Sequence, residues 1–257
     1  MTKTIDLAEI EKFSRLAAEW WDPAGPFRPL HRLNPTRLAY IRDQACGHFA
    51  RDTRSIAPFQ GLSALDVGCG GGLVAEPMAR LGAKVTAIDA DGEAIAAARI
   101  HADSRGVDVD YRVGGAEDLV RGKRQFDLVL ALEIIEHVAD RAVFLETLAA
   151  LVAPGGLLIL STLNRTLKSR ILAVGVAEHV LRWVEPGTHD WRKFVRPSEM
   201  ARGLREVGFE ITELTGLNFN PLRGEFTIKP GDVTMNYFAV AVRTDDAARK
   251  PPGPGLY

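Results

Sequence analysis

The 257 residues suffice for one domain with a substantial core, and 46% hydrophobic with 25% charged residues is the balance of a globular chain. A formal net charge of −1 supplies no basic field for nucleic acid, and the first residues lack the apolar run of a secretory signal. No uninterrupted apolar stretch reaches the ~20 residues of a membrane span, and the two cysteines, Cys46 and Cys69, read as free thiols in a reducing, cytosolic compartment.

In chain order, residues 7–21 carry Ile10, Phe13, Leu16, Ala17 and Trp20 near helical spacing. A second helix is expected to start after Asn34-Pro35, with Asn34 as cap and Pro35 in the first turn. These give a helical N-terminal arm over 1–60. From residue 64 strands and helices alternate. Strands are expected at 64–67, 84–88, 109–113, 126–131 and 156–160, with helices at 73–81, 92–102 and 141–152. Such short alternation predicts an α/β fold with a doubly wound parallel sheet. A helix at 197–207 and strands at 209–214 and 237–242 complete a single domain over 1–243. The proline- and glycine-rich tail 244–257 is expected to be disordered.

Residues 164–196 break the alternation, because a plain connection is far shorter. Basic residues there exceed acidic ones by seven to three. A helix over 169–183 would place Leu172, Val176, Val180 and Trp183 on one face. Two readings stand: a helix packed on the sheet edge, or a basic and apolar cover that touches lipid.

The most informative run is Leu65 to Gly72. It reads as a buried strand that ends in a glycine turn and enters a helix. Asp66, Gly68, Gly70 and Gly72 form an alternating frame, whereas a dinucleotide fingerprint would need glycine at position 73, which is Leu73. Glycines without Cβ atoms would let the backbone lie flat against a ligand. Asp89 closes the next strand, twenty-one residues beyond Gly68 and near the ~20 expected for an acid that holds ribose hydroxyls. Together these features point to nucleoside binding.

In open α/β sheets ligands bind outside the carboxyl ends of the strands. The fourth strand runs into Leu132, Glu133, Ile134, Ile135, Glu136 and His137. One helical turn would bring Glu133 and Glu136 to one side, and His137 can serve as base, metal ligand or hydrogen-bond donor. Clefts collect such titratable groups.

The glycine turn and Asp89 resemble those of class I S-adenosylmethionine-dependent methyltransferases, which implies a seven-stranded sheet. A narrower resemblance, to the ubiquinone-biosynthesis O-methyltransferases, is carried by Trp20, Trp21, Asp22, Gly25, Phe27, Leu30, His31, Asn34, Pro35 and Arg37. It recurs in Ser161 to Arg165, in Gly187 to Asp190 with Trp191, Lys193 and Phe194, and in Asn220-Pro221 and Asn236-Tyr237. The resemblance implies O-methylation of a polyprenyl catechol and of a demethylated ubiquinol. It implies S-adenosylmethionine contacts at Arg37, Gly68, Asp89 and Leu132, with Gly70 in the same turn and Arg37 on the methionine carboxylate. It further implies Mg²⁺ held by Glu133, Glu136 and His137, with His137 acting alternatively through water or as general base. An enzyme with such a substrate would sit in the cytoplasm at the inner membrane surface, alongside other quinone-biosynthesis enzymes and without nucleic-acid partners. The rival expectations are a methyltransferase for a small soluble phenol or carboxylate, and a SAM-binding scaffold without catalysis.

Overall fold

A computed structural model of the chain describes residues 4–5, 19–169, 190–220 and 224–244. Most of the expected helix at 7–21, most of 169–183, and the tail from 245 lie outside the described residues.

Eight strands form one sheet in the order β3-β2-β1-β4-β5-β8-β6-β7. They are β1 (Ser63–Val67), β2 (Lys84–Asp89), β3 (Asp110–Val113), β4 (Phe126–Leu132), β5 (Val152–Leu163), β6 (Phe209–Asn220), β7 (Glu225–Pro230) and β8 (Asn236–Arg243). The first five pair in parallel, while β8 pairs antiparallel with both β5 and β6. The doubly wound architecture is therefore as expected, with one strand more than seven. The extra strand, β7, pairs antiparallel with β6 at the sheet edge. It is short and largely exposed, and Phe226 and Ile228 alternate with Glu225, Thr227 and Lys229 and pack against the core, a strand the expected elements did not include.

Among the described residues the longer helices are α1 (Arg28–His48), α2 (Ala75–Arg80), α3 (Gly92–Arg105), α4 (Ala116–Arg121), α5 (Arg141–Leu151) and α6 (Pro197–Glu206). They cover both faces of the sheet, which explains the near-continuous burial of β1 and β4. Alternation along the strands splits the core. Ala64, Leu128, Leu130, Ile159, Phe238 and Val240 face α1, α2 and α3. Leu65, Val129, Ala131, Leu160, Tyr237 and Ala239 face α4, α5 and α6.

Local chemistry sets the helix ends. Asp91 caps α3 by accepting from the Glu93 N–H, and Gly106 ends it in the left-handed region. Asp140 caps α5 through the N–H groups of Ala142 and Val143. The start of α1 corrects the expectation from Asn34-Pro35. The helix begins seven residues earlier, with proline in its first turn, and runs on through Pro35. Asn34 does not cap because its side chain is engaged elsewhere: Nδ2 donates to the Leu73 carbonyl and Oδ1 accepts from Arg37. The helix α4 has only six residues, too few to show a period.

Candidate active site

The turn after β1 is built on left-handed backbone. Gly68, Gly70 and Gly72 have φ of 73°, 51° and 86°. The space that a Cβ would take is not left open for a ligand, as the sequence suggested. Ile134 fills it at Gly68, the Trp20 ring at Gly70 and Gly71, and the Tyr111 hydroxyl at Gly72. The arm is thus seated on the turn: Trp20 stacks on Phe27 with centroids 3.7 Å apart, and Trp21 Nε1 donates to the Gly71 carbonyl at 2.9 Å. His31 Nε2 meets the Trp20 carbonyl at 2.8 Å. Trp20 Nε1, Tyr111 Oη and Asp66 Oδ2 are buried beside this turn without hydrogen-bond partners.

Asp89 stands at the end of β2 with both carboxylate oxygens oriented by backbone. Oδ2 accepts from the Gly70 N–H at 2.8 Å and Oδ1 from the Asp91 N–H at 2.9 Å. Burial raises its pKa, against the pull of these N–H groups. Asp66, 3% exposed, is pushed up to about 7 by burial, opposed by Arg37. Arg37 itself is 6% exposed. Desolvation lowers its pKa, while the charges of Glu133 and Asp66 act to raise it. A buried guanidinium in the field of two carboxylates, aligned by Asn34, is suited to an anionic ligand group.

Beyond β4 the chain makes turns rather than the helical turn expected for 133–136, with the His137 N–H donating to the Ile134 carbonyl at 2.9 Å. Leu132 is buried against the α1 face and pairs in register with Ser161. Glu133 has φ of 54° and accepts from Asn236 Nδ2 at 2.6 Å. Glu136, 3% exposed, accepts from the Thr162 hydroxyl at 2.8 Å. Burial raises its pKa, with His137 opposing and Glu133 adding to the rise. The polar residues of this loop therefore interact electrostatically, with Glu136 the most enclosed.

The arrangement gives the implied cation no support. Among the described residues no three or more His, Cys, Asp or Glu side chains converge as a metal site requires. One Glu136 oxygen is bound by Thr162 and one Glu133 oxygen by Asn236. Cys46 and Cys69 are both free thiols and both are buried, and burial raises the Cys69 pKa, so its thiol is held protonated within the turn. Sequence reasoning missed Asp66, Asn34 and Asn236 as parts of this site. Asp66 opens the glycine frame and was legible there. The two asparagines act across 39 and 103 residues of chain, which no local spacing reveals.

The Methyltransferase domain family matches residues 38–214. Among solved structures, a SAM-dependent methyltransferase from Thermotoga maritima, described as a possible histamine N-methyltransferase, superposes with a TM-score of 0.62. It is 19% identical, and the match covers 91% of this chain and 99% of that one. A plantazolicin methyltransferase gives 0.61 at 17% identity, covering 94% of this chain and all of its own. These likenesses carry the fold. Sequence relatives go further: the ubiquinone biosynthesis O-methyltransferase of Sinorhizobium fredii is 51% identical over 93% of this chain and 96% of its own length. That of Parvibaculum lavamentivorans is 49% identical over 95% and 96%. With the fold, the glycine turn and this likeness along almost its whole length, the chain belongs to the ubiquinone biosynthesis O-methyltransferases.

Proposed function

We propose that the chain transfers a methyl group from S-adenosylmethionine to phenolic hydroxyls of polyprenyl catechol and demethylubiquinol intermediates. One observation supports this most: the glycine turn, Asp89 and the Glu133–His137 loop meet at the carboxyl ends of the adjacent strands β1, β2 and β4, beside the buried Arg37. The donor supplies an already activated methyl group on a sulfonium, so the chain's own task is to orient both partners and to take one proton.

The residues divide that task by their chemistry. Asp89, fixed by two N–H groups, keeps lone pairs for two ribose hydroxyls. Arg37 binds the carboxylate of the methionine moiety, and Asp66, with one oxygen unpartnered, receives its ammonium. Gly68, Gly70 and Leu132 supply the main chain and the apolar wall between them. His137 takes the proton of the phenol, whose pKa near ~10 needs a base at neutral pH. Glu136, enclosed and near His137 in charge, stabilises the imidazolium so formed. Glu133 balances the Arg37 charge.

The substrate's prenyl tail requires a meeting place at a membrane, and among the described residues no helix is long and apolar enough to cross one. Residues 164–196 are the proposed contact. Their described ends are fastened together: the Trp191 indole donates to the Thr166 carbonyl at 2.8 Å, and the Val195 N–H to the Leu163 carbonyl at 3.1 Å. Arg165 pairs with Glu199, while Leu167 is 67% exposed.

Labelled methyl transfer from S-adenosylmethionine to a prenylated catechol tests the function, with a soluble phenol alongside. Transfer to the prenylated acceptor supports it. Preference for the soluble phenol, or binding of the donor without any transfer, overturns it.

A further inference from the structure

We infer that Asn236 is a positioning residue that fixes the Glu133 carboxylate at the carboxyl end of β4. The inference rests on the proposed role of Glu133 and deepens it.

Glu133 is one of three non-glycine residues with left-handed φ among the described residues, and the other two, Ala50 and Lys123, lie exposed. A side chain with a Cβ adopts this conformation at a cost, and it persists where surrounding contacts over-determine it. Two contacts do so here. The Glu133 N–H donates to the Ser161 carbonyl at 2.9 Å, and its Oε1 accepts from Asn236 Nδ2 at 2.6 Å. Asn236 is itself immobilised, since it opens β8 in register with Leu163 of β5 and Leu217 of β6.

The orientation of the amide follows from chemistry. An ionised carboxylate only accepts, so the NH₂ group must face Glu133. The Asn236 oxygen is then left buried without a partner. Turning the amide over would set two acceptors against each other at 2.6 Å. The protein therefore tolerates an unpaired buried acceptor to keep a donor on Glu133, and Glu133 in turn acts on the Arg37 charge.

Two experiments test the role. In the first, turnover at saturating donor is measured for Asn236→Ala, Glu133→Ala and the double variant. Asn236→Ala is expected to lower kcat about ten-fold with a melting temperature near that of the wild type, and the double variant to be no slower than Glu133→Ala alone. Losses that multiply overturn the positioning role, while leaving the role of Glu133 standing. Full activity of Glu133→Ala overturns that role and this inference with it. In the second, Asn236→Asp is assayed across pH. Beside Glu133 its carboxyl group stays protonated to higher pH than a lone aspartate, and only the protonated form donates. Activity near wild type in mild acid, falling relative to wild type as pH rises, is the expected profile. A profile parallel to that of the wild type overturns the inference, even if Asn236→Ala fails to fold.

Discussion

The Gly70 N–H donates to Asp89 Oδ2 at 2.8 Å, so the turn that follows β1 is tied to the carboxylate that follows β2. One contact thus aligns the two parts of the proposed nucleoside site. Asp89→Ala removes the proposed ribose acceptor and frees the turn together. Affinity for S-adenosylmethionine should fall more than ~10-fold by calorimetry, the size of losing a charged acceptor. Unchanged affinity would place the ribose elsewhere.

The glycine turn also has a steric requirement. A Cβ on Gly70 would come within 2.5 Å of the Trp20 ring, and φ there is 51°. Gly70→Ala is therefore expected to unseat Trp20 from the turn and to destabilise the fold by ~1 kcal/mol or more. A changed tryptophan emission spectrum with a lower melting temperature would bear this out. An unaltered spectrum would show that the arm does not depend on the turn.

Glu133 offers the opposite case, a position where stability and activity should part. Glycine adopts φ of 54° without the Cβ penalty, so relief of strain offsets the lost Asn236 contact. Glu133→Gly should melt within about 1 kcal/mol of the wild type, or above it, while turnover falls. Undiminished turnover would remove Glu133 from the site.

Asp66 ties stability to pH. Its carboxyl holds a proton to about 7 in the fold against an ordinary value of 3.8. Between those values the folded state binds more protons than the unfolded one, so this group's contribution is present in acid and is lost as pH rises towards 7. Asp66→Asn should flatten that decline and raise the melting temperature at pH 8 by at least ~2 °C, with little gain at pH 4. Equal shifts at both pH values would mean that the charge is not what destabilises.

Much of this site was legible from residues close in sequence. The run from Asp66 to Gly72 and the placement of Asp89 encode a strand, a turn and a second strand, and local spacing carries them. Position 132 and the polar residues after it follow from the end of a strongly apolar strand. What stayed hidden is non-local. Asn34-Pro35 looks like a helix start, yet Asn34 bridges Arg37 to the Leu73 carbonyl, and the helix passes through the proline. Asn236 lies just before the expected strand 237–242, and only the folding of β8 beside β5 brings it to Glu133. The open turns of the chain at Gly70 and Gly71 gave no hint that Trp20 would lie on them. The edge strand β7 escaped because its alternation, Phe226 and Ile228 between polar residues, spans only six residues, none of them fully buried.

The membrane contact is the most exposed of these expectations. A polyprenyl tail partitions into a bilayer, so a peripheral enzyme must reach its substrate at the surface. Lys168, Arg170 and Arg182 would attract anionic headgroups at about 1 kcal/mol each. Lys168 donates to the Thr234 hydroxyl at 3.2 Å beside the charge of Asp232, and both it and the neighbouring Leu167 are exposed, which leaves them open to a surface. The chain should therefore sediment with vesicles rich in anionic lipid, less so at high salt, where surface charges are screened. The triple variant Lys168→Glu, Arg170→Glu, Arg182→Glu should lose the vesicles yet keep its activity on a short-tailed, soluble catechol, because none of the three belongs to the methyl-transfer site. If the wild type never sediments, or the triple variant sediments equally well, residues 164–196 act as packing on the sheet edge and the substrate is delivered by another route.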